Sequence, residues 1–317
     1  MREELICQLA RSWAAVDSDV TPTEEILAWV EERKRNTHVE IRKIPMAKMQ
    51  DWFYAAEEGV LRNRAGTFFK ISGFQSRRSD GSILQQPVIL QPENGYLGII
   101  CQEIHGVLHF LMQAKIEPGN LNAIQISPTI QATKSNFTQA HGGKQPAYLA
   151  YFLHAERYEI ILDQLQSEQS ARFLKKRNRN LLIKVDEQVE LLPTHRWMTL
   201  GQIKDLMSRF DNLVNMDTRT VLSGIPFSAL RLSDAADAEV RRMFSDEALY
   251  RSVFHGSRCY ELPAVYNYIN NCKMFFAEEH TLLPLHRLQG WRMDDYGVFP
   301  EHAGGFQVIC CQIEIEG

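Results

Sequence analysis

The sequence has no apolar run approaching the roughly 20 residues that a membrane span needs. It also lacks a strong charge of either sign: a formal net charge of −4 over 317 residues gives no global pull toward nucleic acid or a membrane surface. Its six cysteines (7, 101, 259, 272, 310 and 311) form no CxxC pair and no metal-type spacing, so reduced thiols in a cytoplasmic protein are the plain reading. The opening MREELICQLARSW has two acidic residues and no apolar core segment, unlike a secretory signal. Neither G-x-G-x-x-G nor a P-loop occurs, which excludes the two phosphate cradles most easily read from sequence. What remains is an ordinary globular composition, 44% hydrophobic and 23% charged, in a chain long enough for two domains or one large one.

Along the chain, Thr21-Pro22-Thr23-Glu24 predicts a helix start, with Thr21 as N-cap and Glu24 closing a capping box. That helix carries Ile26, Leu27 and Val30 and fades in EERKRN. A short helix is expected over MAKMQDWFYAAEEG with Met46, Met49 and Trp52 on one side, then a strand from Thr67 to Phe74 and a polar loop at RRSDGS. From Pro87 to Glu117 the pattern is a meander, PVIL, YLGIICQ and GVLHFLMQAKIE. Tyr148 to Leu165 reads as helix, the polar stretch QSEQSARFLKKRNRN follows it, with KKRNR either a solvated basic helix end or a set of cations for a ligand, and LLIKV reads as a further strand. A second capping box, Thr199-Leu200-Gly201-Gln202, opens a helix through Ile203, Leu206 and Met207. Strands followed by helices, without strict alternation, predict an α+β fold with a mixed sheet.

The stretch from Gln113 to Thr138 organises the rest. His109, Leu111, Gln113, Lys115 and Glu117 alternate with Phe110, Met112, Ala114 and Ile116, the period of a strand with one packed face. Pro118-Gly119-Asn120 forces a turn. A tight two-residue hairpin would set Gln113 against Ile124, a polar–apolar mismatch. One further loop residue sets Gln113 against Gln125, so a longer loop or a bulge is expected. Either way Gln113, Lys115, Glu117, Gln125 and Ser127 share a face, and such a polar face reads as a site.

The chain then repeats itself. Ile44-Pro45-Met46-Ala47-Lys48-Met49-Gln50-Asp51-Trp52 returns as Leu283-Pro284-Leu285-His286-Arg287-Leu288-Gln289-Gly290-Trp291. Gly59-Val60-Leu61 returns as Gly297-Val298-Phe299, and Ala65-Gly66-Thr67-Phe68 as Gly304-Gly305-Phe306-Gln307, at nearly the same offset. Agreement of this kind implies duplication with an incomplete second copy, and a division into residues 1–222 and 223–317.

The blocks QPENGYLG, QAKIEPGN, QISPTIQATKSNFT, LQSEQSARFLKKRNRN and VNMDTRTVLS resemble those of the NDP-hexose 2,3-dehydratases of deoxysugar biosynthesis. The resemblance implies two tandem Nudix-like units, each a mixed β-sheet flanked by helices with a nucleotide-sugar pocket, in a homodimer. It also implies loss of water across C2–C3 of dTDP-4-keto-6-deoxyglucose, the 3,4-diketo product being trapped by a separate 3-ketoreductase. No redox cofactor is called for. The glutamate-rich Nudix box is absent, so only the fold of that superfamily is implied.

Such a reaction needs a base for the C3 proton, donors for the enolate oxygen at C4 and an acid for the departing 2-hydroxyl. Glu117 is the candidate base and Lys115 the enolate stabiliser or proton donor; the alternative is an exposed ion pair beside a turn. Gln113, Gln125, Ser127, Gln131, Ser135 and Asn136 suit sugar hydroxyls and a pyrimidine edge, or else strand-edge hydrogen bonding. Lys134, Lys175, Arg177 and Arg179 suit the diphosphate. Gln166-Ser167-Glu168-Gln169 and Asp217-Thr218-Arg219 are further candidates, Asp217 and Arg219 reading more readily as a structural ion pair. His105 and His109 do not make a metal site, because Gly106 and the strand pattern break helical i, i+4 geometry. Trp29, Trp52, Trp197 and Trp291 read as core anchors, and Cys101 as core filling. The competing readings are a nucleotide-sugar-binding protein without catalysis and a nucleic-acid binder using KKRNR; the net charge and the single short cluster oppose the latter.

Overall fold

The computed structural model describes residues 3–66, 68–117, 119–133, 145–225, 227, 232–254, 262–275, 278–302 and 304–316. Its helices, in chain order, are α1 (Glu3–Ala14), α2 (Thr23–Arg35), α3 (Leu149–Leu153), α4 (Leu200–Arg209), α5 (Met216–Ser223), α6 (Asp234–Met243), α7 (Glu247–Phe254) and α8 (Leu262–Phe275). The strands are β1 (His38–Lys43), β2 (Trp52–Ala55), β3 (Val60–Asn63), β4 (Lys70–Arg78), β5 (Ile83–Leu90), β6 (Gly95–Ile104), β7 (Val107–Ile116), β8 (Ile124–Ser127), β9 (Ile130–Ala132), β10 (Glu159–Ser167), β11 (Arg177–Lys184) and β12 (His195–Thr199). They continue with β13 (Glu278–Leu283), β14 (Trp291–Asp294), β15 (Gly297–Pro300), β16 (Val308–Ile309) and β17 (Cys311–Glu316). The α+β expectation holds: the central sheet runs β10-β11-β6-β7-β12, with β11 parallel to β6 and the other pairings antiparallel.

Apolar side chains cover both faces of this sheet. On one, Ile99, Cys101, Leu108, Phe110 and Met112 pack under α1, α2, α4 and α5 through Leu9, Ile26, Ile203 and Val221. On the other, Ile100, Leu111, Leu181 and Ile183 meet Leu149 and Phe152 of α3. Phe152 lies so close to β6 that a Cβ on Gly98 would fall 2.3 Å from its ring.

The sheet forks where it builds the site. β6 and β7 pair only from Cys101↔Phe110 to Ile104↔Val107, then diverge. β9 fills the gap on β6 (Gly98↔Ile130), and β8 fills it on β7 (Gln113↔Ser127, Lys115↔Gln125, Ile116↔Ile124). Thr129, between β8 and β9, closes the fork: its hydroxyl accepts the Ile100 N–H at 2.9 Å and donates to the Leu111 carbonyl. Its own carbonyl accepts from Nε2 of buried His195 at 3.1 Å. Burial pushes that imidazole down to about 4, so it is neutral and Nδ1 accepts from the Thr194 hydroxyl. The β7–β8 register lies two residues beyond the expected one, Gln113 facing Ser127 instead of Gln125. A seven-residue loop and not a tight turn joins the strands, and an even shift leaves the polar face intact.

Other expectations need correction. Thr21 is buried and does not cap α2, whose first turn is held by Asp17 Oδ1 accepting from the Thr23 N–H (2.8 Å) and hydroxyl (3.0 Å). The box at Thr199 and Gln202 forms as expected. The helix expected after Pro45 is one 3-10 turn, Met46–Lys48, before β2, and the strand expected from Thr67 begins at Lys70 and runs through Arg78. The helix expected from Tyr148 ends at Leu153; Glu159 onward is β10. A bulge between Ile160 and Leu162 buries the adjacent Ile161 and Leu162 together, an apolar doublet that mimics helical spacing. KKRNR is accordingly not a helix end: it leads into β11.

The order β1, 3-10 turn, β2, β3 recurs as β13, 3-10 turn (Leu285–Arg287), β14, β15. The two stretches exchange partners, β1 pairing with β17 and β13 with β4, both antiparallel. The Leu285 N–H donates to the Gly59 carbonyl (2.8 Å) and the Met46 N–H to the Asp295 carbonyl (2.6 Å). Leu61, Leu285, Leu288 and Val298 share a small core between them.

Candidate active site

The open end of the fork carries β7 to its last residues and places Lys115 and Glu117 beside a cleft. Lys115 Nζ donates to Glu117 Oε1 at 2.7 Å, both side chains being partly buried. Across from them, residues 213–215 run alongside β8, the Ile126 N–H donating to Leu213 and the Asn215 N–H to Ile126. Asn215 then joins sheet to helix. Its Oδ1 accepts the Thr218 N–H at 2.8 Å as the N-cap of α5, while Nδ2 donates to Ser127 Oγ (3.0 Å) and Gln131 Oε1 (3.2 Å). Asp217 is thereby fixed in the first turn of α5.

Three confluent hollows form the cleft. One of about 860 Å³ is walled by Glu117, Gln125, Gln131, Glu168, Asp217 and Arg219 among others. The second, about 360 Å³, includes Glu168, Asn178, Asn180 and Asp217. The third, about 190 Å³, includes Lys115, Gln131, Glu168, Lys176 and Asp217. Glu168 and Asp217 thus stand where all three meet. The Asp217 carboxyl accepts no hydrogen bond and makes no ion pair among the described residues. Burial, then the negative charges of Glu168 and Glu117, push it up to about 6, against an opposing pull from Lys115. Asn180 is wholly buried at the second hollow with both amide atoms unpartnered, unusual for a buried carboxamide.

The expected face is assembled in part. Lys115, Glu117, Gln125 and Gln131 line the cleft. Gln125 is held by Asn120 and by the Asn212 carbonyl, and Ser127 is buried as an acceptor for Asn215. Gln113, between Ser127 and His195 in the sheet, lies outside the lining. Lys134, Ser135 and Asn136 fall outside the described residues. Lys175 and Arg177 are exposed; on β11 Arg177 and Arg179 alternate with Asn178 and Asn180, which take the cleft side. Arg179 instead forms a two-pronged pair with Asp163, 2.7 Å on each arm, which lowers the Asp163 pKa. Asp217 and Arg219 are not an ion pair: two residues apart on a helix they diverge, and Arg219 Nε donates to the Val214 carbonyl. Asn178, Asn180 and Asn215 escaped the sequence reading. Asn215 was findable as an N-cap residue ahead of MDTRTVLS, and strand alternation would have separated the asparagines of KKRNRN from its arginines. His109, held by Ser18 and the Val107 carbonyl with its pKa lowered by burial, is structural. Among the described residues no cluster of His, Cys, Asp and Glu could hold a metal, and no helix is long and apolar enough to cross a membrane.

A forked sheet, a Lys–Glu pair and an unpaired carboxyl suit acid–base chemistry on a polar ligand. The profile of the NDP-hexose 2,3-dehydratases matches residues 23–225, a span that contains all of these parts. The chain belongs to the NDP-hexose 2,3-dehydratase family. It is 41% identical over 296 residues to dTDP-4-dehydro-6-deoxy-alpha-D-glucopyranose 2,3-dehydratase of Saccharopolyspora spinosa, covering 92% of this chain and 60% of the relative. It is 41% identical over 249 residues to the enzyme of that name from Amycolatopsis orientalis (76% and 51%) and 35% over 302 residues to that of Streptomyces violaceoruber (94% and 64%). The chain therefore spans half to two thirds of the length of these dehydratases. Among solved structures, an ADP compounds hydrolase aligns with a TM-score of 0.32 at 10% identity, over 61% of this chain and 91% of that one.

Proposed function

We propose that this chain is a lyase acting on a dTDP-4-keto-6-deoxyhexose in deoxysugar biosynthesis, removing water across C2–C3. The observation that supports this best is the Lys115–Glu117 pair at the mouth of a cleft walled by amides and carboxyls, inside the matched span. Glu117 takes the C3 proton, which the C4 ketone acidifies. The Lys115 ammonium stabilises the enolate oxygen at C4, a charge that forms only as the proton leaves. Gln125, Gln131 and Asn180 offer donors and acceptors to sugar or base, with Ser135 and Asn136 as further polar groups; Gln113 and Ser127 support the sheet and do not reach the ligand. Arg219, exposed at the cleft rim, joins Lys134 and Lys175 as a cation for the diphosphate, whereas Arg177 and Arg179, on the other face of β11, do not serve this cleft.

The architecture belongs to the same reading: residues 1–222 as a first Nudix-like unit, and 223–317 as linker helices and the opening of a second, duplicated one. The recurring element order and the reciprocal pairing of β1 with β17 and β13 with β4 support it. A cytoplasmic homodimer and a separate 3-ketoreductase consuming the diketo product complete the proposal. To test it, the chain is incubated with dTDP-4-keto-6-deoxyglucose and the sugar nucleotide followed by mass spectrometry. The reading predicts loss of one water, and a dicarbonyl that a diamine reagent traps. Binding without water loss marks a nucleotide-sugar-binding protein without catalysis; absence of binding contradicts both.

A further inference from the structure

We propose that Asp217 is the general acid of this site, giving its proton to the departing 2-hydroxyl from the wall opposite Glu117. The inference rests on the dehydratase reading above. Elimination with Glu117 as base leaves the second proton transfer unassigned, and Lys115 is held by Glu117 at 2.7 Å, where it serves the C4 oxygen. Three observations converge on Asp217. Its carboxyl stands at the confluence of the three hollows, sharing the largest with Glu117 and the smallest with Lys115. It makes no ion pair and accepts no hydrogen bond among the described residues, so neither oxygen is occupied by a partner. Its position is built rather than incidental: Asn215 anchors α5 to β8 and β9 by the cap and by two side-chain bonds.

The charges facing it agree with the role. Glu117 and Lys115 come from β7, Glu168 from the end of β10, Lys176 from the segment before β11, and Arg219 from its own helix. Burial, and after it the carboxylates of Glu168 and Glu117, outweigh Lys115 and keep a proton on Asp217 up to about pH 6. A bound diphosphate adds negative charge and extends that range. A neutral carboxylic acid beside an ionised base is the division of labour that elimination needs.

The steps balance. Glu117 removes the C3 proton, and the C–H pair becomes the C3=C4 bond of an enolate whose charge rests on the C4 oxygen. As the ketone re-forms, that pair moves to C2=C3, the C2–O bond breaks, and the leaving oxygen takes the Asp217 proton and departs as water. When the enol tautomerises, C2 gains the proton held by Glu117 and the 3-hydroxyl returns one to Asp217. Both carboxyls are reset, and no oxidant or reductant is consumed.

The test uses the whole chain and its Asp217→Asn variant with dTDP-4-keto-6-deoxyglucose in D2O, following C3 exchange and water loss separately. The variant is expected to keep C3 exchange within about threefold while water loss falls at least about 100-fold. The 2-deoxy-2-fluoro analogue, whose fluoride leaves without a proton, is expected to react in the variant within about threefold of the parent rate. In the parent chain, water loss declines as pH rises through the Asp217 pKa, and fluoride loss does not. Water loss at the parent rate in the variant, or fluoride loss as impaired as water loss, overturns the assignment while leaving the dehydratase reading in place. A folded parent chain that neither exchanges C3 nor loses water removes that reading, and this inference with it.

Discussion

At the scale of single residues, what decides function is which carboxyl bears a charge. Glu117 has a cation at 2.7 Å and Asp217 has none, so the two carboxyls offer different chemistry to one cleft. Glu117→Gln is expected to cost about 10²–10⁴ in elimination rate with dTDP binding kept, a split that isothermal titration and a rate assay resolve. Asp217 also carries a stability signature. Its folded pKa of about 6 lies above the ordinary carboxylate range, so the folded state binds more protons than the unfolded one between roughly pH 4 and 6. Its ionised form therefore opposes folding above that window, and the opposition fades as pH falls through it. Asp217→Asn should melt above the parent at pH 8, the gap narrowing toward pH 4; an unchanged gap contradicts the assigned pKa. Asn180→Leu, which replaces a buried amide with unpaired atoms, is expected to stabilise the apo fold by about 1–2 kcal/mol in urea unfolding while weakening sugar-nucleotide binding. Lys115 and Glu117 were legible in the sequence because strand periodicity alone puts i and i+2 on one face. Asp217 was named as a candidate but read as half of an ion pair with Arg219, because the carboxylates that face it are about 50 to 100 positions away and meet it only once α5 is anchored.

At the scale of elements, the fork and its plug hold the site open. Thr129 serves two strands at the point where they part, accepting from Ile100 and donating to Leu111. Thr129→Val keeps the shape but leaves a buried donor and a buried acceptor unpaired, at a cost of about 2–4 kcal/mol measurable by urea unfolding. Asn215→Ala removes a cap worth about 1 kcal/mol together with the ties to Ser127 and Gln131. It should lower activity by more than its stability loss explains. The strands from Pro87 to Glu117 were readable because their alternation is regular. β10 was not, since its bulge between Ile160 and Leu162 destroys period two at Ile160 and Ile161, which carried the helix pattern together with Leu149, Phe152 and Leu165. The β7–β8 register was missed for another reason: the seven-residue loop is set by contacts with residues 211–215, which local turn chemistry does not encode.

At the scale of the whole molecule, the repeated stretches interlock instead of standing apart. Gly59, at φ +72°, lies so close to Pro284 that a Cβ on it would fall 2.4 Å from the proline Cβ. Gly59→Ala combines that clash with left-handed backbone strain of about 1–3 kcal/mol. Residues 278–316 should then become more susceptible to limited proteolysis than the central sheet. Repetition was visible in the letters, because Ile44 to Trp52 and Leu283 to Trp291 keep their order. The exchange of β1 and β13 between sheets was not, because sequence similarity names equivalent strands without saying which sheet each one joins.

In the proposed reaction, Glu117 draws the C3 proton from a 4-keto sugar held in the fork's cleft. Proton NMR of dTDP-4-keto-6-deoxyglucose in D2O, with the parent chain and with Glu117→Gln, tests that most directly. The prediction is that the C3 signal vanishes with the parent chain and persists with the variant, while both bind dTDP. A C3 signal that persists with the parent chain despite binding, or that the variant erases equally fast, would contradict it.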